Sequence, residues 1–125
     1  MTPEQFKAWR KDLGLSQEAA AAVLGVSRGS IENYERGSRR EDQRPVEIPT
    51  NVVRLAVLIA YRKDINARIE VLERQVELLE TGHLKTREST IEHPEWRDTT
   101  QTDIEHAQEH IRTYQGILSR LDVTA

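Results

Sequence analysis

Residues 16–37 read SQEAAAAVLGVSRGSIENYERG, and this stretch decides the fold of the chain. Ser16 and Ser27 are favoured N-cap residues, and each precedes a short helical pattern that ends at a glycine. The stretch therefore predicts two helices, 17–24 and 28–36, joined by a tight turn.

The residues at this turn are suited to a steep crossing of the two helices. A helix enters the major groove of DNA only if its neighbour crosses behind it at a steep angle. Such a crossing needs a small residue, a glycine turn and an apolar plug, which Ala21, Gly25 and Val26 provide. These residues therefore predict that helices 17–24 and 28–36 cross at a steep angle, as entry of helix 28–36 into a major groove would require.

With these features in register, the chain resembles the Xre/Cro family of helix-turn-helix proteins, which includes the lambdoid phage repressors, over residues 3–62. The resemblance is carried by the Ser-Gln opening, Ala21, Gly25, the apolar Val26 and Ile31, and the closing Glu-Arg-Gly. It implies a lambda-repressor-like domain of four helices that binds double-stranded DNA.

The resemblance also implies which residues read bases. In the family the first residues of the third helix contact base edges, so the expected readers are Arg28, Gly29, Glu32 and Asn33. Arg28 is expected to grip O6 and N7 of guanine, and Asn33 to pair with adenine or hold a phosphate. Gly29 departs from the family, because a polar reader often stands there.

Further residues are expected to position the DNA backbone or the helices. In the family the glutamine that opens the second helix binds phosphate, and a partly buried salt bridge, here Arg10 with Glu35, joins the first and third helices. This chain also inserts a basic segment, 38–48, before its fourth helix, with arginines as candidate phosphate or minor-groove contacts. The predicted phosphate-binding residues are Gln17, Ser27, Ser30, Arg36, Arg39, Arg40 and Arg44.

Helical patterns continue on both sides of the motif. A first helix is predicted over 3–12, with Thr2 as its N-cap. Pro49 opens a fourth helix that is too apolar for a lone surface helix. It is therefore expected to close the N-terminal domain and is a candidate to face a partner.

Two segments of the second half carry apolar residues at alternating spacings of three and four. They flank a loop, 83–97, in which Trp96 is a candidate anchor. Such segments predict an antiparallel hairpin, whose apolar edges a second copy would cover. The sequence leaves open whether the seams pack within one chain, between chains, or both. The expected dimerisation residues are Ile65, Ile69, Leu72, Val76, Leu79, Ile104, Ile111, Tyr114, Leu118 and Leu121.

Charge separates the two halves. Residues 1–63 hold 11 basic and 8 acidic side chains, a net +3, and residues 64–125 hold 7 and 13, a net −6. Phosphate contact is therefore expected from the front half only. The fold prediction is all-α, with a helix-turn-helix domain over 1–62 and a helical hairpin with heptad seams, for dimerisation, over 63–125.

Other function classes receive little support. Residues 106–110 fit the metalloprotease pattern H-x-x-E-H, but Ala107 and Ile111 commit that helix to packing, so neither a metal nor another cofactor nor an enzyme is predicted. The chain has no cysteine. The longest apolar run, 55–61, is too short to span a bilayer, so no membrane partner is expected and the protein is predicted to be cytoplasmic.

The sequence thus predicts a homodimeric transcriptional regulator, a repressor, on an inverted-repeat operator with half-sites about one helical turn apart. An alternative is an antitoxin-like or phage accessory module whose helical hairpin grips a partner protein, because a heptad seam can serve a foreign helix as well as its twin.

Overall fold

A computed structural model describes residues 1–121, and the last four positions of the predicted hairpin region lie outside the described residues. The all-α prediction is confirmed, with one small addition, a two-stranded ribbon. The elements in chain order are α1 Pro3–Asp12, α2 Gln17–Leu24, α3 Arg28–Arg36, α4 Thr50–Glu80, β1 Arg87–Glu88, β2 Arg97–Asp98 and α5 Thr100–Leu121. The chain divides into two compact units, Met1–Tyr61 and the residues from Arg62 onward.

Side-chain caps fix where the first three helices begin. Thr2 Oγ1 accepts from the backbone of Gln5 at 3.1 Å, and Gln5 Oε1 accepts from the backbone of Thr2 at 2.8 Å, which makes a capping box. Ser16 Oγ accepts from the third residue of α2 at 3.0 Å, and Ser27 Oγ from that of α3 at 3.1 Å. Each cap satisfies a backbone N–H that the helix leaves unpaired, which stabilises a helix by about 1 kcal/mol.

The core of the first unit holds α3 by one face. Phe6, Ile31 and Ala56 are completely buried, so α1, α3 and α4 meet around them. The indole Nε1 of Trp9 donates to the carbonyl oxygen of Ala56 at 2.8 Å, which ties α1 to α4. The ring of Tyr34 meets that of Phe6 edge-on at 5.6 Å. Because Ile31 and Tyr34 lie inside, the opposite face of α3 is turned outward.

Two glycines with positive φ end the helices of the motif. Gly25 has φ +67°, and the backbone then folds back so that Val26 N donates to Ala21 O at 3.0 Å. Gly37 has φ +79°, and a Cβ there would lie 3.0 Å from Cγ of Pro3. A side chain at Gly37 would therefore be strained and would crowd the start of α1.

In the second unit the two apolar seams pack against each other within one chain. Leu72, Val76 and Leu79 of α4 share a core with Ile104 and Ala107 of α5, and the partly buried Ile111 and Tyr114 pack against it. Ile65 and Ile69 are also buried, while Leu118 and Leu121 are partly buried. Dimerisation through these residues stays a prediction, and the partly buried Ile111, Tyr114, Leu118 and Leu121 keep surface that a second copy could contact.

The segment between α4 and α5 is more ordered than the predicted loop. Arg87 pairs with Asp98 and Glu88 with Arg97, which makes a short antiparallel ribbon. Trp96 is 62% exposed, so it does not anchor this segment in a core; instead, the Arg87 guanidinium lies 4.5 Å from the centre of its ring. Within residues 1–121, no helix is long and apolar enough to cross a membrane.

Candidate nucleic-acid interface

A partly buried polar network holds the first three helices together. The carboxylate of Glu35 on α3 pairs with the guanidinium of Arg10 on α1 and accepts from Nε2 of Gln17 on α2 at 2.9 Å. Arg10 Nη1 also donates to the carbonyl oxygen of Leu15 at 2.9 Å. The motif is thereby fixed to α1 by hydrogen bonds as well as by apolar packing.

The environment of Glu35 favours its ionised form. Burial by itself would raise the pKa of this carboxyl group. The hydrogen bonds from Arg10 and Gln17, with the positive charges of Arg10 and Lys7, outweigh burial and place the pKa of Glu35 below its usual value. The pair is therefore ionic at neutral pH.

Gln17 has a structural contact in addition to its predicted phosphate contact. Its amide nitrogen carries two protons, and one of them is donated to Glu35. The second proton remains for a phosphate oxygen at the start of α2. The contact with Glu35 fixes the orientation of the amide, so the two roles are compatible.

At the start of α3, the predicted guanine reader is already paired. Arg28 Nη1 lies 3.0 Å from Oε1 of Glu18 on α2, and Arg28 Nε lies 3.3 Å from Oε1 of Glu32 one turn along α3. All three side chains are at least partly exposed. The sequence reasoning missed Glu18 because it lies on another helix, ten residues before Arg28, and such a contact leaves no local sequence pattern.

The first turn of α3 presents small side chains. Ser27 and Ser30, two predicted phosphate contacts, share a hydrogen bond between their hydroxyl groups at 3.0 Å. The nearest heavy atom to a Cβ added at Gly29 would be Ser27 Oγ, at 3.8 Å. The free protein therefore has space for a side chain at Gly29, and packing does not explain the glycine.

At the end of α3, the side chain of Arg36 contacts Asn33 and the following loop. Its Nη2 donates to Oδ1 of Asn33 at 2.8 Å, and its Nε donates to the carbonyl oxygen of Ser38 at 3.2 Å. Arg36 thus orients the amide of Asn33, whose nitrogen keeps both protons for an acceptor. Arg36 is exposed and retains Nη1 for the predicted phosphate contact.

The basic segment after α3 is a closed loop. Arg39 N donates to Arg44 O at 2.8 Å, and Val46 N donates to Gly37 O at 3.1 Å. Val46 and Ile48 pack against the core of the first unit, so the continuously exposed part of the basic segment is limited to residues 39–45.

Acidic neighbours offset two of the three loop arginines. Arg44 lies 3.4 Å from Asp42, and Arg39 lies 3.9 Å from Asp42 and 3.8 Å from Glu41. Arg40 forms no ion pair with the residues that the structure describes. It lines a shallow cleft of about 410 Å³ together with Arg36, Ser38, Arg39 and Gln43. Arg40 is therefore the loop arginine best placed to meet a phosphate.

The histidine motif of α5 lies on the surface. His106 and His110 are both exposed. In the part of the chain from 1 to 121, no group of three or more histidine or acidic side chains is arranged to hold a metal ion.

Comparison with known protein families gives a match to the helix-turn-helix part of the chain. A family model described as helix-turn-helix matches residues 6–41, which run from Phe6 in α1 into the loop after α3. No curated protein and no solved structure matches the chain.

Proposed function

Residues 6–41 belong to the Xre/Cro-like helix-turn-helix family, and from this premise we propose a sequence-specific repressor that binds an inverted-repeat operator as a homodimer. The chain is a DNA-binding regulator of the Xre/Cro kind. The observation that carries the finer proposal is the outward polar face of α3, held in place by Ile31 and Tyr34 on the buried face.

In this proposal α3 lies in the major groove. Arg28 donates two hydrogen bonds to a guanine, and Asn33 contacts an adenine or a phosphate. Gln17 and the first turn of α2 meet a backbone phosphate, because helix N-termini attract anions. Arg40 meets a second phosphate beyond the end of α3. Repression then requires only that the bound regulator occupies the operator.

A surface of the first unit supports the dimer. On α4, Leu55, Val57, Leu58 and Tyr61 are exposed by 38%, 54%, 45% and 50%. Large apolar side chains grouped on one helix are typical of surfaces that meet a partner. These residues lie in the same compact unit as α3. A two-fold contact between copies of this surface would therefore set the distance between the two recognition helices.

The test of the proposal is selection of bound duplexes from random DNA. We expect an inverted repeat with half-sites about one helical turn, 10 base pairs, apart. Selected duplexes without a common motif, or with a single unrepeated site, contradict the proposal. Light scattering of the parent chain and of Leu58→Glu tests the surface of α4. The parent should be a dimer, and the variant a folded monomer.

The ribbon favours the second candidate, a protein-binding module. Trp96 and Ile91 are exposed there, and Arg87 stacks on Trp96. Tryptophan and arginine are enriched among residues that carry binding energy in protein interfaces. This candidate predicts a monomeric parent chain that shows no preference among duplexes, whereas the repressor predicts a dimer with a selected site.

A further inference from the structure

Two carboxylates, one from each helix of the motif, hold Arg28. Glu18 on α2 accepts a hydrogen bond from Nη1 at 3.0 Å, and Glu32 on α3 lies 3.3 Å from Nε. Two of the three guanidinium nitrogens are therefore engaged in the free protein. The second proton on Nη1 and the two protons on Nη2 remain to donate a fork of two hydrogen bonds to guanine.

The charges of this cluster distinguish a phosphate from a base edge. One guanidinium and two carboxylates leave the cluster negative, although Arg28 lies between the two acids. A phosphate drawn to Arg28 would approach both carboxylates within a few Å and be repelled. The edge of guanine is neutral and offers two acceptors, so it meets no such repulsion. The cluster therefore disfavours contact with the DNA backbone more than contact with a base.

We propose that Glu18 is a specificity-determining residue: it cancels the general attraction of Arg28 for DNA, so that this arginine adds affinity only where a guanine lies within reach. The inference rests on the proposed function, because it requires α3 to enter a major groove. The Arg28–Glu18 pair is exposed, with 56% and 74% of the two side chains accessible, so it opens at little cost.

Glu18 is a better test position than Glu32. Glu32 lies on α3 and is itself an expected base reader, so its replacement would change readout directly. Glu18 lies on α2, and its carboxylate acts on DNA through Arg28 and through its own charge. The variant Glu18→Gln keeps the shape and an acceptor oxygen for Arg28 but removes the charge.

The experiment compares two duplexes, one selected from random DNA and one with the same base composition in scrambled order. Dissociation constants are measured at several salt concentrations for the parent chain, Glu18→Gln and a matched control, Glu73→Gln. Glu73 is an exposed residue of α4 in the second unit. Far-ultraviolet circular dichroism checks that all three keep their helix content.

We expect Glu18→Gln to bind the scrambled duplex about three- to tenfold more tightly, since one negative charge no longer repels a nearby phosphate. Affinity for the selected duplex should rise less, so the ratio of the two affinities falls. On the scrambled duplex, the salt slope should also steepen by up to about 0.9, because Arg28 gains a phosphate contact. Glu73→Gln should leave the ratio unchanged.

The outcomes separate this inference from the proposed function. Equal gains on both duplexes, or no gain on the scrambled one, overturn the role of Glu18 and leave the proposed function standing. A parent chain that binds both duplexes equally overturns the proposed function, and the role of Glu18 with it.

Discussion

Replacing Glu35 with alanine should destabilise the first unit more than any exposed acidic substitution. The variant removes the partner of Arg10, whose side chain is only 13% exposed, and the acceptor of Gln17. Removing one partner of a fully buried ion pair costs about 3–5 kcal/mol. Arg10 is partly exposed and keeps its hydrogen bond to Leu15, so we expect Glu35→Ala to lower the free energy of unfolding by about 2–3 kcal/mol.

The chain offers one tryptophan in each unit, which allows the first unit to be observed alone. Trp9 is buried in the first unit and Trp96 is exposed on the ribbon, so Trp9 fluorescence in a Trp96→Phe background reports unfolding of the first unit. If the free energy of unfolding falls by about 1 kcal/mol per M of urea, the urea midpoint of Glu35→Ala should lie about 2–3 M below that of the parent chain. The control Glu47→Ala, at an exposed position, should change the free energy of unfolding by less than about 0.5 kcal/mol.

A double variant separates loss of the charge pair from loss of packing. Arg10→Met with Glu35→Leu leaves no unpaired charge, so it should recover at least about 1 kcal/mol relative to Glu35→Ala. The reasoning is refuted if Glu35→Ala costs no more than Glu47→Ala. A double variant as unstable as Glu35→Ala would assign the loss to packing and not to the unpaired guanidinium.

Three further predictions use the same fluorescence assay or the same kind of binding measurement. The pKa of Glu35 is lowered from 4.5, so its stabilising contribution is complete above that pH and is lost as the pH falls toward the folded value; Glu35→Gln should flatten this acid slope in the fluorescence assay, and an unchanged slope contradicts the assignment. Gly29→Ala should raise the free energy of unfolding by about 0.5–1 kcal/mol, since there is space for the methyl group. The same variant should bind the selected duplex more weakly if the backbone of α3 lies against the groove. Binding as tight as that of the parent chain would contradict a role for Gly29 in DNA contact. Arg40→Ala should reduce the slope of log affinity against log salt concentration by about 0.9, and Arg39→Ala by less because Asp42 already offsets its charge; equal reductions would remove the distinction.

Helix boundaries in the first unit were predictable because their signals are local. Thr2, Ser16 and Ser27 cap the helices that they precede, and a cap acts within four residues. Gly25 and Gly37 supply the positive φ at which helices end. The strands of the ribbon were missed because a pair of two-residue strands has no period to detect.

Contacts between distant residues were predictable only where the family resemblance supplied them. The pairing of Arg10 with Glu35 follows from no spacing within the chain, and the resemblance proposed it. The heptads of α4 and α5 predicted an apolar seam but not what packs against it, because a helix of the same chain or of another chain can bury an apolar stripe equally well. The pairing of Glu18 with Arg28 follows from neither a spacing nor the resemblance, and only the three-dimensional structure shows it.

The ion pairs of the first unit determine how much of the positive charge of residues 1–63 is available to attract DNA. Residues 1–63 carry +3, but Arg10 lies in the core network, Arg28 lies between two carboxylates, and Asp42 lies beside both Arg39 and Arg44. Of the five arginines on α3 and in the loop after it, Arg36 and Arg40 form no ion pair with the described residues and are left to attract phosphates without regard to sequence. Under the proposed function, weak attraction to the backbone makes affinity depend on contacts with base edges. A regulator with this arrangement discriminates among sites chiefly by binding poorly to the wrong ones.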